Sequence, residues 1–381
     1  MTWLIQHYME VMIMEKYQKI NLFTLEIGKS LCQESLLQDI LKSISEIRAD
    51  IYEQYGLVIP NVRVKDNKNL SPFEYVIKVS EVEISRYELK RNCILILDAG
   101  NVTQKIKGSE AFEPAYGCSA LWISSARKDI AKERGYLLVS YQKIIKTHFT
   151  EIIKANLASV ITTQYVSDLF DELMEDNKAL CAHIAGKYEY EAYGIVKEIL
   201  QSLIKDNISI RNIIPILEVI ANEEKVSKKN IYSLYKKVRL AISSDIVAPY
   251  IKKNTLKVLR ISRSFSEYLN DNWKDIGDFN VDKRIVKSFT REIEALSSAF
   301  EDRTTIICIS PIMYVAKKFM FEICHLKNID LISDLEVSSA LDVFTNIRFE
   351  ILADVGDGRI FSEEKDLKNE TRILQRLRKE M

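Results

Sequence analysis

The chain is poor in the residues that break regular structure, with 11 glycines and 6 prolines among 381 residues. Gly and Pro are the strongest local punctuators, so their scarcity predicts long regular elements and few extended loops. Cysteine is no more organised. Six are scattered (Cys32, Cys93, Cys118, Cys181, Cys308, Cys324), most in apolar surroundings and with no CxxC pair. That pattern reads as reduced thiols rather than disulfides and offers zinc no ligand set. Net charge is also lacking, since 54 Lys and Arg balance 54 Asp and Glu. Nothing in this balance demands nucleic acid or an anionic membrane. No stretch approaches the ~18 uninterrupted apolar residues of a membrane span. The opening MTWLIQHYMEVMIMEKYQKI is interrupted by His7, Glu10, Glu15 and Lys16. It has neither the basic start nor the long apolar middle of a signal peptide. Residues 1–24 read as an amphipathic segment or linker. The GxGxxG, P-loop, HExxH and GxSxG patterns are missing too, so no cofactor and no metal are expected.

What is present is a soluble globular composition, 47% hydrophobic and 28% charged, long enough for two or three domains. Apolar Leu37, Ile40, Leu41, Ile44, Ile47 and Ile51 recur at helical spacing, with Gly56 beyond as a stop signal. Over PNVRVKDNKNLSPFEYVIKVSEVEISRYELKRN the period changes to two: Val62 and Val64, then Tyr75, Ile77 and Val79, then Val82 and Ile84. That alternation predicts strands with one buried face. CILIL, Cys93 to Leu97, is a continuous apolar run and reads as a strand covered on both sides. A helix from Ser124 to about Arg134, a strand at Tyr136–Val139 and a helix over Tyr141–Ile161 follow. From Thr163 the strand signal fades into helical periods at VSDLFDELM, Ile195–Leu203, Ile213–Ile220 and on to about Ile246. Asn212 can N-cap the Ile213 helix, and Pro215 falls in its first turn, where a missing N–H costs little. Beyond Ile251, KVLRIS and TTIICISP read as strands flanked by helices over Lys283–Phe300 and Ile312–Cys324. DVGDGRI is a turn in which Gly356 and Gly358 supply positive φ.

The stretch from Glu113 to Ile123, EPAYGCSALWI, stands out. Pro114 fixes φ and biases Glu113 towards an extended conformation, and Gly117 can take angles that other residues resist. It reads as a bent, part-exposed aromatic segment leading into a buried strand. Further on, IIKTHFTEII, Ile144 to Ile153, is an amphipathic helical pattern. Taken alone, core packing is the plain reading of both stretches, Tyr116 included. In this order they resemble the cytoplasmic domain of the type III export gate protein, the FlhA/SctV family (FHIPEP) of flagella and injectisomes, where EPxFG…WI precedes a THxxE helix. LEIG, Leu25 to Gly28, resembles that family's first strand. Pro60, Arg63, Asp66, Asn67, Leu70, Pro72, Tyr75, Glu88 and Leu89 match its next block, although Ser80 and Tyr87 stand where glycine is frequent. ILQSLIKDNISIRNIIPILEVI resembles its LQxLLxExISIRDLxxILE signature, and IDLISDLEV its last VLSxxEI strand. VSEVEISRYELK looks closer to the injectisome branch.

The resemblance implies an α/β (α+β) multi-subdomain fold. A thioredoxin/ferredoxin-like first subdomain (25–102 plus 141–162) carries a small inserted second subdomain (103–140). A helical third subdomain (163–250) and a mixed α/β fourth (251–381) follow. It implies a protein that binds proteins and performs no chemistry, at the cytoplasmic face of the bacterial inner membrane. The implied partners are export chaperone–substrate complexes, other copies in a homo-oligomeric, nonameric ring, the export ATPase complex and the membrane part of the gate. By motif position, Glu113, Tyr116 and Thr147 match the residues that line the chaperone-docking dimple, with Glu113 accepting hydrogen bonds from the chaperone. Gly28 matches a hinge at the linker junction.

The alternatives are an α/β enzyme with an unrecognised site and a nucleic-acid binder. Thr147, His148 and Glu151 contain a hydroxyl, a base and a carboxylate, but on one helix His148 is turned away from the other two. KVSKKNIYSLYKKVR, Lys225 to Arg239, is basic with two tyrosines. Its apolar stripe Val226, Ile231, Leu234, Tyr235 and Val238 argues for a solvated helix face rather than a nucleic-acid patch.

Overall fold

A computed structural model of the chain describes residues 21–188, 191–224, 226, 230–274, 278–279, 282–300 and 303–357. The expected segment 1–24 lies almost wholly outside these residues, as do Gly358 and most of the run 225–229. The chain divides into two compact units between Tyr165 and Val166.

In the first unit, β1 (Phe23–Ile27), β2 (Arg63–Asp66), β3 (Glu74–Val79) and β4 (Val82–Glu88) form a sheet in the order β2-β1-β3-β4. Only β1 and β2 run parallel; the other neighbours are antiparallel. The register places Phe23, Leu25 and Ile27 opposite Val79, Ile77 and Tyr75, and all six are buried on one face. Helix α1 (Glu34–Tyr55) ends at Gly56, whose N–H bonds Tyr52 O at 2.8 Å. It packs against α3 (Tyr141–Ala155), pinned by Lys146 Nζ to Glu46 at 2.7 Å. The α3 helix stops six residues short of Ile161, and a 3₁₀ turn over Leu157–Val160 follows.

Two expectations change here. Val82 and Ile84 were expected to face the core, yet Val82 is 61% exposed and Ile84 is exposed as well. The pairing of β3 with β4 slips by one residue between Ile77 and Lys78, which leaves Ile84 as the extra residue and turns Ser85 and Tyr87 inward, while Val82 pairs with Val79 beside the turn and is exposed at the strand end. The connecting turn is made by Ser80 and Glu81, both with positive φ (49° and 65°), the two-residue hairpin geometry, built here without glycine. Secondly, β5 (Cys93–Leu97) does not extend the first sheet. It is central in a second one with β6 (Ser109–Phe112), β7 (Ser119–Ser124) and β8 (Leu137–Val139), in the order β6-β7-β5-β8. Ile96, Ile106, Ile123, Tyr136 and Ala131 of α2 (Lys128–Glu133) form its core.

The division falls in the first turn of helix α4 (Thr163–Leu173), and the second unit continues with α5 (Lys178–Tyr188), α6 (Ala192–Lys205), α7 (Ile213–Asn222), α8 (Ile231–Ala241) and α9 (Ser243–Val247). Asn212 precedes α7 but does not cap it through its side chain; its amide donates to Asp245 Oδ2 at 3.0 Å. Short β9 (Ile251–Lys252) leads into β10 (Thr255–Ile261) and α10 (Arg263–Asp271). A small ribbon of β11 (Trp273–Lys274) and β12 (Asp278–Phe279), then α11 (Lys283–Ser297), β13 (Thr304–Cys308) and α12 (Met313–Lys318), complete the middle. After α12 come β14 (Ile329–Ser333), α13 (Asp334–Val343) and β15 (Arg348–Val355). The main sheet is parallel in the order β14-β13-β10-β15, and β15 is a strand beyond the one read from IDLISDLEV as the last. Val355 at its end is buried, but its other apolar residues are half-exposed at a sheet edge, with Phe349 and Ile351 partly in solvent, so the chain offered no buried run to read. Phe265, Phe289 and Phe319 pack in the core, the first two stacked with centroids 4.7 Å apart.

Arg239 closes the basic run that read as a solvated face, but it is 1% exposed. Its guanidinium grips Glu336 in two hydrogen bonds (2.6 and 3.0 Å), donates to Asp206 Oδ2 at 3.0 Å and reaches Leu331 O at 3.1 Å.

Candidate functional site

The EPAYG stretch forms the loop between β6 and β7 in the first unit. The Glu113 N–H donates to Cys118 O and the Gly117 N–H to Glu113 O, both at 2.8 Å, closing a tight turn with Gly117 at φ +70°. Glu113 is 4% exposed, and its Oε2 accepts the N–H groups of Ala115 (3.1 Å) and Tyr116 (2.9 Å). The carboxylate expected to meet a partner therefore builds the loop from inside. Its work leaves two aromatic rings in solvent, Phe112 at 66% and Tyr116 at 64% exposure. Tyr116 is not core.

Two hydroxyls tie this hairpin to the first sheet and its helix. Tyr87 of β4 donates to Phe112 O at 2.9 Å, and Tyr116 donates to Glu151 Oε1 of α3 at 3.2 Å. Partial burial, and then the Glu151 carboxylate, raise the Tyr116 phenol above its usual range, so the hydroxyl keeps its proton. Thr147 is half-buried one turn before Glu151, on the same face of α3. The expected trio is thus brought to one region, with Glu113 beneath it and Tyr116 and Thr147 on it. Phe112 was not picked out from the sequence, and Glu151 only as the carboxylate of the rejected Thr147-His148-Glu151 cluster. Phe112 directly precedes Glu113-Pro114, and Glu151 follows Thr147 by four, so both were within reach of the spacing argument.

His148 points away from Thr147 and Glu151, into the sheet. Its Nδ1 meets the Tyr75 hydroxyl at 2.8 Å and its Nε2 the Ser85 hydroxyl at 2.9 Å. Burial pushes the imidazole down to about 4 and the Tyr75 phenol well up. So weak a base is suited to holding two hydroxyls in the core, not to proton transfer near neutrality. Among the described residues no group of three or more His, Cys, Asp and Glu is placed to hold a metal.

Gly28 follows β1, and its φ of −72° is open to any residue. What requires glycine is proximity, because a Cβ would lie 2.1 Å from Ser71 O and 2.9 Å from Pro72 O. Its N–H also bonds Glu74 O at 2.8 Å. These contacts argue for close packing of backbone on backbone rather than for a hinge. Gly28→Ala is expected to cost about 2 kcal/mol by overpacking, read as a lower urea midpoint with unchanged far-UV circular dichroism. A midpoint equal to that of the parent would remove this packing role.

The fold is that of a multi-subdomain α/β protein whose first unit presents an aromatic hairpin beside a helix. The FHIPEP family matches residues 6–342, and the chain belongs to it. It is 31% identical over 251 residues to the flagellar biosynthesis protein FlhA of Borreliella burgdorferi, covering 65% of this chain and 35% of that protein. With FlhA of Bacillus subtilis it shares 30% over 290 residues, covering 74% and 42%. The chain thus spans well under half the length of these relatives. Among solved structures it resembles the CdsV protein of Chlamydia pneumoniae (TM-score 0.69, 18% identity, covering 89% of this chain and 98% of that one). It also resembles the nonameric SctV-C of EPEC (TM-score 0.67, 16% identity, covering 89% and 99%). CdsV has also been solved in complex with CdsO. At such identities the likeness establishes the fold. No helix among the described residues is long and apolar enough to cross a membrane.

Proposed function

We propose that this chain is the cytoplasmic part of a type III protein export gate, that it docks chaperone–substrate complexes at the 112–118 hairpin, and that it hands substrates to the membrane part of the gate. The observation that carries the docking reading is the pair of exposed rings on a turn organised by a buried carboxylate. Large apolar side chains in solvent on a preformed turn suit an interface anchor better than a catalytic centre. Thr147 adds a hydroxyl from α3. The ring is proposed from the nonameric state of the SctV-C domain, and a contact with the export ATPase complex from the solved CdsV–CdsO pair. The place of action is the cytoplasmic face of the inner membrane. The subdomain boundaries proposed with this reading are 25–102 plus 141–162, 103–140, 163–250 and 251–381, with Cys93–Leu97 reassigned to the second subdomain, whose sheet it joins.

Tyr116→Ala decides the docking role. The ring is largely in solvent, so the melting temperature should move little, while affinity for purified chaperone–substrate complexes of the same secretion system should fall by about 2 kcal/mol, roughly 30-fold. Calorimetry of unfolding and of binding on one preparation reads both. Unchanged binding would remove Tyr116 from the docking surface.

A further inference from the structure

Tyrosine at position 116 brings one atom that phenylalanine would not, the hydroxyl that reaches Glu151 Oε1 at 3.2 Å. The other hydrogen bonds of the turn are internal, running from the N–H groups of Ala115, Tyr116 and Gly117 to Glu113 and from Glu113 to Cys118. They shape the backbone but leave the ring unheld. A ring 64% in solvent has little packing to choose its rotamer, and fixing such a side chain on binding costs affinity. A hydrogen bond to a carboxylate on a regular helix supplies that choice in advance. At the start of the loop Tyr87 does the same for the backbone, holding Phe112 O from β4. The hairpin is therefore pinned at both ends by tyrosine hydroxyls.

We infer that Glu151 is a positioning residue of the docking surface, which holds the Tyr116 ring, through its hydroxyl, in the orientation a partner meets. The inference rests on the docking reading above. It also states the partner's chemistry. Glu113 is buried and Glu151 Oε1 accepts from the Tyr116 hydroxyl, so what the turn itself presents to solvent is aromatic rather than charged. The surface at this point is two aromatic rings, and it suits a protein segment that anchors through an apolar or aromatic side chain. Docking at this spot should then depend little on salt.

Four variants of the full chain test this: Tyr116→Phe, Glu151→Ala, the two combined, and Glu151→Gln. Tyr116→Phe keeps the apolar ring, and Glu151→Ala keeps a good helix former on the surface of α3, so all should fold. In the protein alone, amide hydrogen exchange over 114–118 should speed up several-fold in Tyr116→Phe and Glu151→Ala and stay near the parent in Glu151→Gln, which retains an acceptor oxygen. Affinity for the same purified chaperone–substrate complexes should fall about 3- to 10-fold in each of the first two, the range of one solvent-exposed hydrogen bond to a charged group. The combined variant should be no weaker than either single one, because both remove the same bond. Unchanged exchange in Tyr116→Phe would show that the bond does not order the loop and would overturn the inference. Faster exchange with unchanged affinity would overturn it too, while leaving docking intact if Tyr116→Ala still loses binding. If Tyr116→Ala binds as the parent does, the docking reading fails and the positioning role falls with it.

Discussion

Arg239→Ala is expected to destabilise the second unit by about 4 kcal/mol, the cost of leaving buried carboxylates without their cation. The reason is the number of elements that meet at one guanidinium. Arg239 lies on α8 and Asp206 just past the end of α6, Leu331 is on β14, and Glu336 is in the first turn of α13. Glu336 does double duty, since its Oε2 also accepts the Ser333 N–H at 2.8 Å while Ser333 Oγ accepts the Glu336 N–H at 3.3 Å, a reciprocal cap on α13. Tyr235 reinforces the site by donating to Asp206 Oδ2 at 2.5 Å, and Lys317 bonds the other oxygen of that carboxylate. Without Arg239, Asp206 retains these two partners, whereas the Glu336 carboxylate retains the Ser333 N–H alone among the described residues. The larger share of the loss should therefore trace to Glu336. It follows that Arg239→Met combined with Glu336→Gln should recover about half of the lost stability, because removing both charges is far cheaper than removing one. Urea unfolding followed by circular dichroism, with the two units fitted separately, reads these changes. A shift under about 1 kcal/mol for Arg239→Ala would mean that water enters and solvates the site.

That network marks where reading along the chain reached its limit. Helices with a clean stripe were legible: Ile40, Ile44, Ile47 and Ile51 predicted α1, and Ile144 and Ile145 with Ile152 predicted α3, where the third buried isoleucine is Ile153, because one-sided burial writes a 3.6 period into the sequence. The bent aromatic segment was legible from Pro114 and Gly117. Pairing was not. A continuous apolar run such as Cys93–Leu97 says that a strand is buried, but not which strands flank it, and β5 joined the second sheet. A bulge shifts the side-chain alternation of one strand relative to its neighbour, so the alternation gave a correct strand but the wrong face for Ile84. Charge was the least legible. Arg239 among lysines has the sequence signature of a wet surface, and its partners stand 33 and 97 residues away. Glu113 likewise looked available because nothing local shows that its carboxylate turns back on Ala115 and Tyr116.

Acid should weaken the first unit in two separable stages, and His148 sets the earlier one. In the fold its imidazole is pushed down to about 4 by burial, against 6.5 when free. Between these values the unfolded chain binds a proton that the folded chain excludes, so stability is fully present above pH 6.5 and is lost as pH falls towards 4. The gap is worth about 3 kcal/mol. The second stage belongs to Glu26, buried on β1. Burial alone would raise its carboxyl, but hydrogen bonds from Lys78 (2.6 Å), Lys65 (2.9 Å) and Asn67 (2.6 Å) outweigh that and hold it at about 2. Its contribution is present above pH 4.5 and is lost below it, so the two windows barely overlap. His148→Gln isolates the first. Glutamine offers one donor and one acceptor to the Tyr75 and Ser85 hydroxyls but cannot take up a proton. Because its reach differs from that of imidazole, the variant should be less stable than the parent at pH 7.5, by about 1–2 kcal/mol. It should also lose the slope between pH 6.5 and 4.5, so that the two curves converge as the solution is acidified. Urea midpoints at half-unit steps of pH, with an NMR titration of the His148 ring alongside, follow both. A His148 that protonates with a midpoint above 6, or a His148→Gln curve that runs parallel to the parent's, would show that the ring is hydrated in the fold.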